Sequence, residues 1–364
     1  MDFGIALPTA ADSWRIVQRA EELGFTHAWF YDSQMLIADC FVAMGAAAVS
    51  TRRIRLGTGV LVPSNRIAPV TANALATLNR LAPGRIDFGV GTGFTARRAM
   101  GFGAIKMQAM ETYITQVYGL LRGEIVDFEM EGQRRKIRFL NPELQLINTA
   151  DPIRLHLSAY GPRTRALTAR LAAGWIDFIG NLEAALREVE AMRQEWAKAG
   201  HALADLSATA FALGCVLREG EPADSERAMA QAGPRAAVIL HRAADEALLG
   251  LPPGISMPSH ARAEFEEYAA LVRRSAPADA PYLENHRGHL LFVKPEERRF
   301  VTADLIRVTS FTAGEAEIKR RVDALRGAGY TSSPFSSCPA RKKRSPIGRG
   351  LPARSSEGAD ASRR

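Results

Sequence analysis

The sequence predicts an α/β fold in which buried parallel strands alternate with helices from residue 2 to about residue 330. Three observations lead to this prediction: short, continuously apolar runs bounded by Gly or Pro, stretches of helical period between them, and polar residues or Gly after nearly every run. Repeated units of this kind form either an open doubly wound sheet or a closed (β/α)8 barrel. Both architectures bind ligands at the carboxyl ends of the strands, so we expect the chemistry there.

The individual elements follow from these patterns in chain order. The apolar runs predict seven strands, which are Phe3–Leu7, His27–Tyr31, Ile54–Val60, Ile86–Val90, Ile153–Leu157, Trp175–Ile179 and Ala208–Leu217. Apolar stripes at helical spacing predict the helices between them. Their starts and stops are marked by residues with known terminal preferences, among them Gly24, Pro69, Pro162 and the capping pair Thr312 and Glu315.

Two segments interrupt the alternation. Residues 124–150 are predicted to form an irregular hairpin. Residues 218–300 are too long for one loop and contain helical patterns at Ala223–Gln231 and Arg262–Arg273. We interpret this second segment as a helical insertion before the last helix, in the place where a substrate-selecting lid is often found.

The end of the chain breaks the pattern. An eighth strand is due after Tyr330, but the sequence there is rich in Ser, Pro, Gly and Arg and has no strand pattern. We therefore divide the chain into a barrel, residues 1–331, whose eighth strand is missing or altered, and a basic disordered tail, residues 332–364. A solvated tail and a nucleic-acid-binding or localisation arm at Arg341–Arg344 are two interpretations. A shifted reading frame is the third, and it is favoured because the pattern stops where an element is required.

Composition and charge limit the classes of function. Of the 364 residues, 47% are hydrophobic and 24% are charged, which is ordinary for a globular protein. The formal net charge is +8, but residues 332–364 hold eight basic and two acidic side chains and so carry +6 of it. The nearly neutral body gives no reason to expect a nucleic-acid partner. No apolar run is long enough for a membrane span, no signal peptide is evident, and three scattered cysteines indicate reduced cytoplasmic thiols and no metal site.

Two segments at predicted strand ends have the properties of ligand sites. Thr58–Pro63 joins a Gly-containing strand end to apolar residues and Pro, which favours a flat apolar face for a planar ring, although a strand end without a ligand explains it equally well. Ser158–Arg163 combines small residues, a helix start at Pro162 and a cationic Arg163, which together favour an anion site. The glycines around Thr92 offer further N–H donors, but their spacing is not the GxGxxG of a dinucleotide loop.

Catalytic side chains are not assigned by any motif, since no P-loop, HExxH or GxSxG is present. His286 and His289, in the segment ENHRGHLLF of the insertion, are candidates for a general acid or base that reaches the site. A hydrogen-bonded loop histidine explains each of them at least as well.

Three stretches of the sequence carry a family resemblance: AEELGFTHAWFYDS, RIRLGTGVLVPSNRIAPVTANALATLNRLAPGRIDFGVGTG and LSAYGPRTRALTARLAAGW. They resemble the luciferase-like monooxygenase superfamily, and within it the branch of methylenetetrahydromethanopterin reductase and related deazaflavin-dependent enzymes. The resemblance extends from about residue 2 to residue 330. It implies a (β/α)8 TIM barrel with an insertion before the last helix, an FMN or deazaflavin coenzyme F-420 cofactor at the strand ends, and a homodimer.

The resemblance also assigns residues to the cofactor. A non-prolyl cis peptide in the third strand, against which the ring rests, corresponds to Thr58, Gly59 and Val60. Asp32 and Ser33 end the second strand near the ring, and the cofactor's chain is approached by Gly91, Thr92 and Gly93. The phosphate is assigned to Ala159, Gly161, Pro162 and Arg163.

The function implied is a flavin- or deazaflavin-dependent oxidoreductase that acts on a small organic substrate by hydride transfer or by monooxygenation. After the second strand, luciferases of this family carry an acidic residue and histidines, whereas this chain has Asp32-Ser33-Gln34-Met35, which weakens the case for aldehyde oxidation. The close sequence likeness to the deazaflavin-dependent branch slightly favours hydride transfer. The alternative is a non-catalytic flavin-binding barrel, or a product inactivated by its altered end.

Overall fold

The structure is a computed structural model that describes residues 1–250 and 262–336. In chain order its strands are β1 Asp2–Leu7, β2 His27–Phe30, β3 Arg55–Thr58, β4 Ile86–Val90, β5 Val126–Met130, β6 Gln133–Ile137, β7 Arg154–Ser158, β8 Gly174–Ile179, β9 Ala208–Leu213, β10 Val216–Leu217, β11 Ala313–Gly314 and β12 Ser332–Ser336. The helices of the described residues are α1 Trp14–Glu22, α2 Cys40–Ser50, α3 Ala68–Leu81, α4 Phe94–Arg98, α5 Met107–Leu121, α6 Pro162–Arg170, α7 Leu182–Lys198, α8 Glu226–Leu249, α9 Arg262–Arg273, α10 Tyr282–His286, α11 Ala303–Thr309 and α12 Glu315–Ala328.

Eight of the strands close into a parallel barrel with the spatial order β1-β12-β9-β8-β7-β4-β3-β2. The closed barrel, one of the two architectures predicted from the sequence, is therefore confirmed. The seven predicted strands each begin within one residue of the predicted position. The predicted hairpin is present as the antiparallel pair β5 and β6, and the predicted helical insertion is present between β10 and β11.

The eighth barrel strand is present, which corrects the prediction that it is missing. Strand β12 pairs with β1 through Asp2↔Ser332 to Ile5↔Phe335, and with β9 through Phe335↔Ala212 and its neighbours. The domain boundary predicted after residue 331 is therefore also wrong, because the barrel continues to Ser336. Residues 337–364, which include the basic cluster Arg341–Arg344, lie outside the described residues.

Strand β12 forms because of its position in the barrel and not because of an apolar run. The side chain of Ser333 is fully buried, and its Oγ donates a hydrogen bond to the carbonyl of Ala210 at 3.1 Å. Phe335 stacks on Phe3 with ring centroids 6.2 Å apart. Pro334 has no N–H to give to a ladder. Small buried serines and a strand proline are invisible to a search for apolar runs, which explains the wrong prediction.

Aromatic side chains fill the barrel interior. The ring of Phe211 lies 5.5 Å from that of Trp29 and 4.7 Å from that of Phe178, measured between centroids. Near the strand starts, Asp87 accepts a hydrogen bond from Arg55 Nη2 at 2.8 Å. Burial raises the pKa of Asp87, but the ring of His156, whose Nε2 lies 3.5 Å from Oδ1, and the hydrogen bonds from Arg55 lower it more, so this pKa is below its usual range. This end of a barrel normally contributes stability and not chemistry.

The insertion has an apolar core of its own, formed largely by helices α8 and α9. Helix α8 extends to Leu249 and passes through Pro234, so it is much longer than the predicted segment Ala223–Gln231. Helix α9 spans the predicted residues, Arg262–Arg273. The insertion can therefore act as a rigid wall, because a long helix packed on its own core is not a loose loop.

Two further predictions concern cysteines and membranes. Cys40 and Cys215 are buried and free, and Cys338 lies outside the described residues. None of the helices in residues 1–250 and 262–336 combines the length and the apolarity that a bilayer crossing requires.

Candidate active site

A cavity of about 290 Å³ lies between the carboxyl ends of the barrel strands and helix α8. From the strand ends it is lined by Tyr31, Asp32, Ser33, Gly59, Val60, Val62, Gly91, Thr92, Gly93, Phe94, Thr95, Ala96, Ser158, Tyr160, Phe178 and Leu213. From the insertion it is lined by Arg235, Val238, Ile239, Arg242, His289 and Leu290. The barrel thus supplies one wall and the insertion the other, so the insertion covers the strand ends as the sequence predicted.

The wall at the end of β3 is formed by Gly59 and Val60, and the peptide bond between them is cis. A Cβ added to Gly59 would lie 2.9 Å from Cβ of Trp29 and 3.2 Å from a ring carbon of Phe211. Glycine is required here because the backbone approaches the aromatic interior of the barrel. The side chain that this wall presents at the cavity is therefore that of Val60.

The neighbouring wall, at the end of β4, also approaches closely. A Cβ on Gly91 would lie 2.8 Å from Cγ2 of Val60 and 3.4 Å from Cβ of Ser158, two residues that line the cavity. Gly93 has a φ of +82°, which L side chains rarely adopt. Backbone therefore forms much of this surface, and a flat ligand can approach it without meeting side chains.

Asp32 lines the cavity, but its carboxylate already has partners. Oδ2 accepts hydrogen bonds from the backbone N of Val62 at 3.1 Å and from Asn65 Nδ2 at 3.2 Å. Oδ1 accepts one from Arg66 Nη1 at 3.0 Å. Asp32 therefore fixes the segment after β3 that carries the Gly59–Val60 wall. Its immediate role is positional.

The four residues predicted to hold a phosphate, and also Thr58, do not line the cavity. Thr58 is buried and donates to the carbonyl of Gly89 at 2.7 Å, and the buried Ala159 accepts from Trp175 Nε1 at 2.9 Å. Gly161 and Pro162 begin α6 just outside the cavity, and Arg163 is exposed. Their neighbours Ser158 and Tyr160 do line it. The phosphate assignment remains a prediction.

Arg235 is a cationic residue of the cavity that the sequence analysis missed. Its Nε is buried, has no hydrogen-bond partner among the described residues, and no carboxylate there forms an ion pair with it. Burial lowers the pKa of Arg235, while the nearby Tyr160, Tyr31 and Asp177 raise it. Arg242, which lies further along α8 and also lines the cavity, forms an ion pair with Glu246 at 2.9 Å. No motif marked Arg235, because only the fold places helix α8 over the strand ends.

The two candidate histidines have different positions. His289 lines the cavity, and its Nε2 lies 3.1 Å from Oγ1 of Thr95, another lining residue. His286 does not line it; its Nε2 lies 3.2 Å from a carboxylate oxygen of Asp245, which also pairs with Arg98 at 2.9 Å. The structure therefore separates a cavity histidine from a histidine that belongs to a buried ion pair.

A closed parallel barrel with a covered cavity at its strand ends defines the class: (β/α)8 barrels that bind a ligand at this rim. A family model described as luciferase-like monooxygenase matches residues 4–332, so the chain belongs to the luciferase-like monooxygenase family. The family predicted from the sequence is thereby confirmed.

Curated relatives match about half of the chain. The "F420-dependent glucose-6-phosphate dehydrogenase" of Nakamurella multipartita is 32% identical over 171 residues, which are 45% of this chain and 49% of that protein. The "5,10-methylenetetrahydromethanopterin reductase" of Methanolobus tindarius is 29% identical over 179 residues, 48% of this chain and 53% of that protein. The chain thus spans about half the length of the curated relatives it matches.

Solved structures agree on the fold. A coenzyme F420 dependent tetrahydromethanopterin reductase from Methanopyrus kandleri has a TM-score of 0.61 at 21% identity, and 92% of each chain is covered. A type II Baeyer–Villiger monooxygenase component from Pseudomonas putida, in complex with FMN, has a TM-score of 0.58 at 11% identity, with 93% of this chain and 92% of that chain covered. At such identities the likeness shows the fold alone.

Proposed function

We propose that this chain is a deazaflavin- or flavin-dependent oxidoreductase that transfers a hydride between the cofactor and a small organic substrate. The observation that carries the proposal is the cavity itself, where a wall of backbone and Val60 faces an insertion wall that contains Arg235, a cation without an ion pair among the described residues. The first wall suits a planar ring and the second suits an anionic group. The F420-dependent glucose-6-phosphate dehydrogenase among its relatives favours the deazaflavin.

The described residues fit such a cofactor. Val60, Val62, Phe178 and Leu213 offer an apolar surface, and the strand ends at Gly91 and Gly93 admit a flat ligand close to the backbone. Bound there, a deazaflavin would supply hydride acceptance and donation, and the protein would supply orientation and exclusion of water. The substrate is proposed to be a small molecule held beneath the insertion.

Parallel titration with F-420 and FMN tests the proposal. We expect F-420 to bind with the lower Kd, measured by quenching of its fluorescence, and FMN to bind more weakly. Bound F-420 should then be reduced in the presence of an alcohol substrate. Binding of neither cofactor at 100 µM would contradict the proposal. Binding without any reduction, over a panel of alcohols and sugar phosphates, would favour the non-catalytic flavin-binding alternative.

Arg235 and Arg163 are alternative partners for the phosphate of the cofactor, and substitution of each in turn distinguishes between them. Arg235→Gln should weaken FMN binding by about tenfold or more while changing riboflavin binding little, because a desolvated charge interacts more strongly than an exposed one. Arg163→Gln should have a smaller effect, since Arg163 is exposed. The Kd ratio of FMN to riboflavin, measured for both variants, checks this. An unchanged ratio for Arg235→Gln would assign Arg235 to the substrate instead.

The homodimer implied by the family resemblance is retained as part of the proposal. Size-exclusion chromatography with light scattering on the full chain checks it, and a monomeric mass at micromolar concentration would contradict it.

A further inference from the structure

A chain of hydrogen bonds runs from a buried carboxylate to the cavity. Glu297 Oε1 lies 2.6 Å from His241 Nε2, and His241 Nδ1 lies 2.7 Å from His289 Nδ1. At the other side of its ring, His289 Nε2 lies 3.1 Å from Oγ1 of Thr95. Glu297, His241 and His289 are 0%, 1% and 2% exposed, so bulk water cannot replace these bonds. We call these three residues the Glu–His–His relay.

The carboxylate end of the relay is ionised. Glu297 accepts hydrogen bonds from the hydroxyl of Tyr268 and the ammonium of Lys294, each at 2.8 Å, and from the backbone N of Lys294 at 2.9 Å. Burial raises the pKa of Glu297, but the contacts with His241 and Lys294 lower it by more than burial raises it, and the pKa is about 2. An ionised carboxylate only accepts, so the proton on the 2.6 Å bond belongs to Nε2 of His241.

The positions of the protons on the two histidines can then be assigned one after the other. Burial lowers the pKa of His241 more than Glu297 raises it, so His241 is neutral and its Nδ1 carries no proton. Two nitrogens 2.7 Å apart need one proton between them, so Nδ1 of His289 donates. Burial, together with the neighbouring histidines and cations, lowers the pKa of His289 well below its ordinary value, so His289 is also neutral. Its Nε2 is then left with a lone pair directed at Thr95 on the cavity wall.

Charged or titratable groups lie around His289 on several elements. They are Arg235, His241 and Asp245 from α8, Arg98 from α4, His286 from α10, and Lys294 and Glu297 from the segment that follows. The described residues contain no group of three His, Cys, Asp or Glu side chains arranged to hold a metal ion. The ring nitrogens of His241 are both occupied by the relay.

We infer that His289 is the catalytic acid–base residue of the reaction and that His241 and Glu297 are positioning residues that fix its tautomer; this inference rests on the proposed function. A bound deazaflavin would supply the hydride acceptor for the C–H bond that breaks in the oxidation of an alcohol, while the O–H bond breaks and its proton passes to Nε2 of His289. The C=O double bond forms from the electron pair of that O–H bond. In the reverse direction Nε2 returns the proton.

The relay offers a proton taken up by His289 a buried path toward the carboxylate of Glu297. When Nε2 of His289 gains a proton, Nδ1 of His289 can pass its own proton to Nδ1 of His241, and the proton on Nε2 of His241 can move toward the ionised Glu297. The positive charge is then shared with a carboxylate. The substrate class is accordingly one with an ionisable O–H beside the reacting carbon, a primary or secondary alcohol.

The tautomers are measured by 15N NMR of the full chain with labelled histidine, assigned with the variants H289Q and H241Q. At pH 7 we expect His289 with only Nδ1 protonated and His241 with only Nε2 protonated, both unchanged down to pH 6. A doubly protonated His289 at pH 7, or a proton on its Nε2, would overturn the inference. This measurement requires neither cofactor nor substrate.

The second measurement is the rate of F-420 reduction. The substrate is 2-propanol or glucose 6-phosphate, whichever reduces F-420 in the unmodified protein. His289→Gln should slow F-420 reduction by about 100-fold or more while changing the Kd of F-420 less than threefold. His286→Gln is the matched control, a histidine equally buried and 5.2 Å from His289 between ring centroids, and should change the rate less than threefold. Equal rates for H289Q and the unmodified protein would overturn the inference.

The pH dependence distinguishes a relay from a purely structural role. Because the pKa of His289 is lowered, the rate of alcohol oxidation should stay constant as the pH falls from 8 to 6, through the ordinary pKa of histidine. In Glu297→Gln the relay loses its carboxylate, so the rate should fall and the NMR tautomer of His241 should change. Correct tautomers in a protein that binds neither F-420 nor FMN would refute the proposed function and not the relay.

Discussion

A chain that ends at Thr331 should not form a stable barrel, whereas a chain that ends at Ser336 should keep the cooperative thermal transition of the full chain. The difference between them is strand β12, which pairs with β1 on one side and β9 on the other. Without it the barrel opens, and two ladders of N–H and C=O groups become edges that favour aggregation.

The expected loss is large relative to the stability of a domain. Full burial of a large apolar side chain contributes about 1.5–3 kcal/mol, the partly buried Phe335 contributes less than that, and each lost ladder hydrogen bond costs about 1 kcal/mol. Several such terms approach the roughly 5–15 kcal/mol that holds a domain folded. Differential scanning calorimetry of both truncated chains beside the full chain measures this. Equal midpoints for the two truncated chains would mean that β12 contributes nothing to closure.

Some strands of this chain are encoded by their own residues, and others form only because of their neighbours in the fold. The barrel strands β1 to β4 and β7 to β9 are predicted because each is a continuous apolar run, and that property belongs to the segment itself. Strand β12 was missed because Ser332–Ser336 becomes a strand only when its neighbours offer it two ladders. The prediction of a missing strand treated a non-local property as a local one.

The candidate site likewise contains residues that local sequence indicates and residues that only the fold brings to the cavity. Asp32, Gly59, Val60 and the Gly91–Gly93 segment line the cavity, since the carboxyl ends of parallel strands converge. Local sequence does not show that the carboxylate of Asp32 is occupied by Asn65 and Arg66. Arg235 and the relay partner His241 lie on one helix that the fold lays over the barrel, and no spacing within that helix indicates what faces it.

Asp177→Asn should stabilise the protein at alkaline pH and have little effect near pH 4. Asp177 lies on β8, is 3% exposed, and its Oδ2 accepts a hydrogen bond from the hydroxyl of Tyr330 at 2.8 Å. Burial raises the pKa of Asp177 to about 6, although Tyr330 lowers it. The described barrel therefore carries a carboxyl group that is neutral at mildly acidic pH and costs stability when it ionises.

The direction of this pH effect follows from the difference in proton affinity of Asp177 between the folded and unfolded states. Because the pKa of Asp177 is higher in the folded state, about 6, than in the unfolded chain, 3.8, the folded state binds the proton more tightly. The contribution of this group to the free energy of unfolding is fully present below about pH 4 and is lost as the pH rises through 6. Two pKa units correspond to about 3 kcal/mol, which is the largest gain that Asn can give at pH 8. The amide still accepts from Tyr330.

Urea unfolding of Asp177→Asn and of the unmodified protein at pH 4, 6 and 8 measures the difference. The matched control is Asp323→Asn, an exposed carboxylate paired with Arg326, whose loss should change the free energy of unfolding by less than about 1 kcal/mol at each pH. A gain for Asp177→Asn that grows from pH 4 to pH 8 supports the raised pKa. A gain of the same size at all three values would instead show that packing of the amide, and not ionisation of Asp177, sets the stability of the β8–β12 side of the barrel.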